Sequence, residues 1–389
     1  MKTLILSVSA GQGHNMASAA LRDYLESLGH EVNIIDTYKF LNIALGNGMD
    51  KGYSIAGRYM PKLNDNLYTQ AERVSDAGAL KTYMPYVFSD LNKYKMRKYL
   101  EKDKPDAIVC THVFGGILIT QLLDSGQFDP SVPVYGVLTD YSLHPFWEHC
   151  KLDHFVVANE LLIPSVVEKG IDEKKILPFG IPVRMAFSVR RSREEACEKL
   201  GLDHTKIICM LSSGGRGFGA LDQLALQADK LDNVLILAMT GTNTLMKKKI
   251  EGMKFEHEVR AYGYVDNMDE FLDAADFIVG KPGGLSTQEA LAKHRLMILT
   301  SPLPGVEDSN LAFLLNNSMA VFTNKHLPLN DVIRQLFVNE GRVEYIKEQI
   351  GKWAKPNSAR TLGDYIIKEY EERMKEKAEE QEESSPETE

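Results

Sequence analysis

Short apolar runs recur along the chain, and most are followed by a stretch whose apolar residues fall three and four positions apart. Leu4 to Val8 reads as a buried strand, and Met16 to Leu28 as a helix carrying Ala19, Ala20, Leu25 and Leu28 on one face. Val32 to Ile35 is a second strand, closed by Asp36. The pattern lapses from about Leu41 to Tyr99, where no strand signal occurs and tyrosines are frequent. It resumes with the strands Ala107 to Cys110, Val134 to Leu138 and His154 to Ala158. Ile181-Pro182-Val183 then leads into a polar, arginine-rich connection, Arg184 to Arg193. The second half repeats the grammar. Strands at Ile207 to Leu211, Val234 to Met239, Val259 to Tyr262, Phe277 to Val279 and Leu296 to Thr300 alternate with helices at Leu221 to Leu231, Thr244 to Gly252 and Met268 to Ala275. Apolar strands alternating with helices predict an α/β protein with parallel sheets covered on both faces. A chain of 389 residues is long enough for two such domains.

Three glycine-rich turns stand at the C-terminal ends of predicted strands, where open α/β sheets bind ligands. The first is Gly11-Gln12-Gly13-His14; position 16 is Met, so the dinucleotide fingerprint GxGxxG is absent. His14, at a helix start facing the strand tips, fits either a base for a hydroxyl proton or a helix cap. The second turn, Ser212 to Gly219, contains Ser213 and Gly215. The third runs from Gly280 through Lys281, Gly283, Gly284, Leu285 and Ser286 to Glu289. N–H groups at the start of its helix suit a diphosphate. Glu289, one turn in, suits a vicinal diol such as ribose, or else it complements the helix dipole. Pro302 to Asn310 also follows a strand; Glu307, Asp308 and Asn310 there fit sugar hydroxyls or an ordinary capped loop. No DxD motif and no metal-ligand spacing is present, so no bound metal is expected and a leaving diphosphate falls to helix dipoles and side chains.

Composition narrows the partners. The hydrophobic fraction of 44% and charged fraction of 25% are those of a soluble globular protein, and a net charge of −9 argues against nucleic acid. Cys110, Cys150, Cys197 and Cys209 show no CxxC spacing and read as reduced residues of a cytoplasmic protein. Leu4 to Val8 is too short for a signal peptide, and no run approaches the length of a membrane span. A membrane encounter is therefore expected to be peripheral. The tyrosine-rich segment 41–99, with Lys81, Lys93, Lys95, Arg97 and Lys98, fits an interfacial surface for anionic lipid or a helical insertion packed on its domain. From Glu369 to Glu389 the chain reads as a solvated helix end and a disordered acidic tail.

Taken together, the motifs resemble the monogalactosyldiacylglycerol synthase and processive diacylglycerol glycosyltransferase branch of glycosyltransferase family 28, from Leu4 to about Tyr365. Gly11-Gln12-Gly13-His14 with Ala17 and Ala20-Leu21 resembles that branch's GGGH signature, with Gln12 replacing a glycine. Thr139-Asp140-Tyr141, His144 and Trp147 resemble its TD…H…W block, and Gly180-Ile181-Pro182-Val183 its GIPV block. Gly263-Tyr264-Val265, Asn267-Met268, Lys281, Gly283 and Glu289-Ala290 resemble its nucleotide-binding region. Pro304-Gly305, Glu307 and Asn310 resemble its PGQExGN sugar loop, with Val306 replacing the glutamine; Val113 stands where a proline commonly follows His112.

The resemblance implies a GT-B fold, two Rossmann-like domains facing a central cleft. The expected bounds are 1–185 for the acceptor and membrane domain, 186–350 for the UDP-sugar domain, 351–370 for a helix returning to the first domain, and 371–389 for the tail. It implies inverting transfer of a hexose from UDP-glucose or UDP-galactose to diacylglycerol, by a cytoplasmic protein peripherally bound to the inner face of the cell membrane. The UDP-sugar is then a substrate, and no cofactor is expected. Carried over by position, His14 is the base. Tyr264 and Val265 border the uracil, Ser286 meets the phosphates, Glu289 the ribose, and Glu307 the hexose, while Gly283, Gly284 and Leu285 also lie on the donor side. Gly13, Ser213, Gly215 and Asn310 join the donor side. His112, Asp140, His144 and Trp147 join the acceptor or membrane side. Without Gln at 306, the choice of hexose stays open. A transferase for a peptidoglycan lipid precursor, or a non-catalytic regulator responsive to UDP-sugar, would carry several of the same turns.

Overall fold

The computed structural model describes residues 1–9, 12–41, 89–215, 217, 219–302 and 305–384. Most of the tyrosine-rich segment, 42–88, lies outside the described residues, as do Gly11 of the first turn and positions 385–389. The apolar runs of the first half form β1 (Lys2–Ser7), β2 (Glu31–Asp36), β3 (Ala107–Cys110), β4 (Val134–Val137), β5 (His154–Val156) and β6 (Ile176–Leu177). Those of the second half form β7 (Ile207–Ser212), β8 (Val234–Met239), β9 (Glu258–Tyr262), β10 (Phe277–Gly280), β11 (Met297–Leu299) and β12 (Ala320–Phe322). They assemble into two parallel six-stranded sheets, ordered β2-β1-β3-β4-β5-β6 and β12-β11-β10-β7-β8-β9. β6 and β12 are additions to the reading from sequence. Each is so short that its apolar run merges with the flanking chain.

Burial on both faces explains the continuous apolar runs. In the first sheet Ile5, Val109, Tyr135, Val137 and Val156 face Leu21 and Leu25 of the helix Gln12–Ser27 and Leu362 and Ile366 of the helix Ser358–Ser384. Leu4, Leu6, Ile108 and Cys110 face the opposite way, toward Ile117 and Leu118 of the helix Val113–Asp124. Each such side chain contributes about 1.5–3 kcal/mol when fully removed from water.

The chain crosses between the sheets twice. Arg184 to Arg193 is fastened to the second sheet's helices. Arg191 pairs with Asp269 at 3.0 Å, Arg193 with Asp276 at 2.7 Å, and the fully buried Lys293 with Asp273 at 2.7 Å. The return crossing interrupts the expected single helix from 351 to 370. The helix Glu340–Trp353 ends ahead of Pro356, and a new one, Ser358–Ser384, starts on the first sheet. Ser358 Oγ ties the two crossings, donating to Ile181 O at 2.7 Å and accepting from Val183 N at 3.1 Å. The expectation of a disordered tail from 371 is corrected: the helix continues to Ser384. The pairs Glu369–Arg373 and Lys368–Glu372, spaced i,i+4, support a polar helix that composition alone reads as disordered.

Candidate active site

Strand order fixes where each sheet opens. In the first sheet it reverses between β1 and β3, in the second between β7 and β10. Such switch points leave a crevice at the strand C-termini.

At the first crevice the helix Gln12–Ser27 begins straight after β1 and presents His14. His14 Nδ1 lies 2.8 Å from the carbonyl oxygen of Thr111, which follows β3, and 3.1 Å from Thr139 Oγ1. A carbonyl oxygen only accepts, so Nδ1 carries the proton of the neutral ring and Nε2 keeps its lone pair. Burial lowers the pKa of His14 below 6.5, opposed in part by the Thr111 hydrogen bond. His112 meets His14 edge-on, with ring centroids 4.9 Å apart. His112 and His144 are both N-caps: their Nδ1 atoms accept from the N–H groups of Phe114 at 3.2 Å and Phe146 at 3.3 Å. Burial holds His112 well below 6.5, helped by the charges of His14 and His144. Burial likewise brings His144 down to about 4, helped by Lys169 and His14. Of these histidines only His14 has its Nδ1 fixed as donor, so it alone is poised as a base through Nε2.

At the second crevice β7 and β10 end side by side, with Ser212 in register with Gly280. A Cβ on Gly280 would stand 2.6 Å from Ser212 O, so this close pairing needs glycine. Ser213 and Lys281 follow. The helix Gly284–Ala292 then carries Glu289 on its second turn. The carboxylate of Glu289 has no hydrogen-bond or ion-pair partner among the described residues. Burial raises its pKa to about 7, opposed by Arg184 and aided by Asp269. An acceptor partly withdrawn from water with no protein donor suits ligand hydroxyls.

The two crevices face each other in contact. A Cβ on Gly13 would lie 3.8 Å from Leu285 Cβ, and one on Gly215 would overlap the Gln12 amide. Gly284 approaches the other side so closely that a Cβ would stand 1.8 Å from Thr139 O. Asn310 Nδ2 donates to Asp140 Oδ1 at 2.8 Å and to Pro282 O at 3.0 Å, and Tyr141 OH donates to Gln288 Oε1 at 2.9 Å. Asp140 also accepts from the backbone N–H of Gly284. Burial raises Asp140 to about 7; the bonds from Asn310 and Gly284 oppose this and the charge of Glu307 adds to it.

The sequence-derived residues thus separate. His14, Gly13, Asp140, Gly215, Gly284, Leu285 and Asn310 converge at the cleft. Asn310 is fully buried and bonded across it, so as it stands it offers nothing to a sugar. Ser286 Oγ turns back to Gly283 O at 3.1 Å. Tyr264 is exposed, and Val265, next to it in sequence beyond β9, is partly buried against the core. Trp147 corrects the expectation of an acceptor or membrane surface. Its side chain is 5% exposed and packs on Phe155, Gly116 and Gly136 as part of the core. Thr111 and Gln288 are not marked by the sequence, and Thr139 and Arg184, though part of named segments, carry no site role in that reading. Thr111 acts through a carbonyl, which no residue pattern marks. Among the described residues no group of His, Cys, Asp or Glu could hold a metal ion, and no helix is long and apolar enough to cross a membrane.

Comparison with known proteins places this geometry. The sequence model of the monogalactosyldiacylglycerol synthase family matches residues 14–183, and that of the glycosyltransferase family 28 C-terminal domain matches residues 208–311. A processive diacylglycerol beta-glucosyltransferase of Bacillus cytotoxicus is 26% identical over 383 residues, covering 95% of this chain and 94% of the relative. The protein of that name from Bacillus licheniformis is 25% identical over 377 residues, covering 95% of both. Among solved structures, Acinetobacter baumannii MurG superposes with a TM-score of 0.59 at 15% identity, covering 95% of this chain and 99% of that one. This likeness shows the GT-B architecture. With both crevices, both matched regions and the two-sheet architecture in agreement, the chain carries a monogalactosyldiacylglycerol synthase domain followed by a glycosyltransferase family 28 C-terminal domain.

Proposed function

We propose that this protein transfers a hexose from a UDP-sugar to the free hydroxyl of diacylglycerol, with inversion at the anomeric carbon. The observation that carries the reading is His14: a neutral ring, proton fixed on Nδ1 by the Thr111 carbonyl, at the cleft between the two sheets. Nε2 takes the acceptor's proton. The acceptor oxygen forms the new bond to the anomeric carbon, and the bond from that carbon to the diphosphate oxygen breaks, with its electron pair leaving on UDP. Attack opposite the departing group turns an α-linked donor into a β-glycoside. Glu289 receives the ribose hydroxyls, and the start of the helix Gly284–Ala292 receives the diphosphate once Asp140 withdraws from the Gly284 N–H. Glu307 faces the hexose.

The relatives' printed names support glucose as the hexose. Action at a membrane surface is supported by the helix Asp90–Asp103, which carries Lys93, Lys95, Arg97 and Lys98 beside the exposed Leu91 and Tyr94. The test is label transfer from UDP-glucose and UDP-galactose to diacylglycerol in vesicles with and without anionic lipid. Label in a lipid-soluble β-glycoside, greater from UDP-glucose and raised by anionic lipid, is the expected result. Absence of lipid-soluble label from both donors, with UDP binding intact, would overturn the reading.

A further inference from the structure

Thr139 stands in the cleft between the base and the donor helix. Its hydroxyl oxygen lies 3.1 Å from His14 Nδ1. Its backbone oxygen faces the start of the helix Gly284–Ala292, so closely that a Cβ on Gly284 would stand 1.8 Å away. Among the described residues it supplies the side-chain atom hydrogen-bonded to the His14 ring; the other partner, Thr111, uses a carbonyl.

The two threonines are held from different sides. Thr111 is fastened within the first domain. Its N–H donates to Leu6 O at 3.1 Å, and its hydroxyl lies 3.0 Å from Ser18 Oγ, which donates to His14 O at 2.8 Å. Thr139, two residues beyond β4, opens a segment gripped by the second domain. Asp140 accepts from Asn310 Nδ2 at 2.8 Å and from the Gly284 N–H. Tyr141 gives its N–H to Asn310 at 2.7 Å and its hydroxyl to Gln288 at 2.9 Å. With the Gly284 N–H given up to a ligand, the Asn310 and Gln288 bonds still keep segment 139–141 on the donor side.

We infer that Thr139 is a positioning residue: its hydroxyl orients His14, and it does so only while the donor domain grips segment 139–141. The inference rests on the proposed function and deepens it, adding what couples the base to the donor side. Nδ1 carries the ring proton, so Thr139 Oγ1 accepts from it and shares it with Thr111 O. When Nε2 takes the acceptor's proton, the ring gains a positive charge and the bonds from Nδ1–H strengthen. The hydroxyl therefore favours the charged ring of the transition state over the neutral ring of the ground state. Parting of the two domains withdraws Thr139 Oγ1 and leaves Thr111 alone on the ring.

The test compares T139V, which keeps the shape and drops the hydroxyl, with T139S, which keeps the hydroxyl. The readouts are kcat, UDP affinity by calorimetry, titration of the His14 ring by nuclear magnetic resonance, and thermal melting as the check on folding. T139V should cut kcat by roughly ten-fold to a hundred-fold and leave UDP affinity within about two-fold. Its His14 ring should titrate lower by about 0.5–1 pH unit, because a bond that favours the charged ring is gone. T139S should stay within about three-fold of wild-type kcat. G284A breaks the same link, so adding T139V to it should reduce kcat by less than about three-fold more. Unchanged kcat or an unchanged His14 titration in folded T139V, or its full loss added onto that of G284A, would overturn the inference and leave the proposed transfer standing. Wild type that transferred no sugar, with the His14 titration still lowered in T139V, would overturn the transfer and not the hold of Thr139 on the ring.

Discussion

Asn310 bridges the cleft to Asp140: its Nδ2 donates to Asp140 Oδ1 at 2.8 Å, while its Oδ1 accepts from the backbone N–H of the next residue, Tyr141, at 2.7 Å. Donor and acceptor of one amide are both spent on the opposite side, and the second Nδ2 hydrogen reaches Pro282 O at 3.0 Å. The residue is fully buried, so truncation leaves these groups without water as well as without Asn310. Asn310→Ala is expected to lose about 2–3 kcal/mol in a urea titration, since each stranded buried polar group costs about 1–3 kcal/mol. A loss below 0.5 kcal/mol would mean that the bridge contributes little.

Gly284→Ala tests the same closure from the backbone. The added methyl would stand 1.8 Å from Thr139 O, a backbone atom held by β4 and the chain beyond it. The two sides must part, which removes His14 from the donor by something on the scale of an ångström. Turnover should fall by about a hundred-fold, the penalty typical of such a misplacement. The helix itself tolerates alanine, so the far-ultraviolet dichroism should not change. Wild-type turnover in G284A would show that the closed contact is not used in catalysis.

His14 gives a pH prediction with a definite sign. The base must be neutral, and burial lowers its pKa from 6.5. The acid limb of kcat/KM should therefore fall below pH 6.5, with full activity at neutral pH. His14→Gln should reduce kcat by about 10²–10⁴-fold without weakening UDP, whose proposed site lies on the second sheet. An acid limb above pH 6.5 would point to a different base.

Much of this organisation is legible in the residues themselves. The apolar runs at Leu4, Ile207 and Phe277 declare strands because parallel strands are buried on both faces, and the glycine turns after them mark the strand tips. Interactions between distant segments are not declared. Nothing in the TD…H…W block says that Trp147 fills the space left by Gly116 and Gly136, since side-chain direction depends on a turn formed after His144. Asn310 reads as a sugar contact from its loop, yet folding brings it to Asp140, 170 positions away in sequence. The acidic end after Tyr370 lacks apolar periodicity, so its helicity rests on charge pairs that hydrophobic patterning ignores.

Asp273 organises the first crossing. It meets the fully buried Lys293 at 2.7 Å and Arg191 at 3.5 Å, and it is itself fully buried. Asp273→Ala strands the Lys293 ammonium without its counter-ion. Breaking one partner of a buried pair costs about 3–5 kcal/mol, which is the loss expected in chemical denaturation. Removing the fully buried pair together, in D273L/K293M, should be far less harmful, because the cations left behind are less buried: Arg191 keeps Asp269 at 3.0 Å, and Arg295, 3.8 Å from Asp273, is 21% exposed. A double variant as unstable as D273A would show that the damage comes from packing.

Glu369 fastens the last helix to the first sheet and does so in a pH-dependent way. Its carboxylate accepts from His154 Nε2 at 3.1 Å, from Arg373 at 2.7 Å and from the Tyr135 hydroxyl. Burial alone would raise its pKa; the bonds from His154 and Tyr135, with the charges of His154 and Arg373, outweigh burial and bring it to about 2. The folded value lies below the ordinary 4.5, so the stabilisation is complete above pH 4.5 and disappears as pH falls from 4.5 to 2. Glu369→Gln should therefore cost up to about 3 kcal/mol at pH 7: the shift corresponds to about 3.4 kcal/mol, which solvent screening of this partly exposed carboxylate reduces. The gap between wild type and variant should close progressively below pH 4.5. Melting curves of both proteins across that range decide the matter: a constant gap down to pH 2 would mean that the carboxylate's charge plays no part in holding the helix.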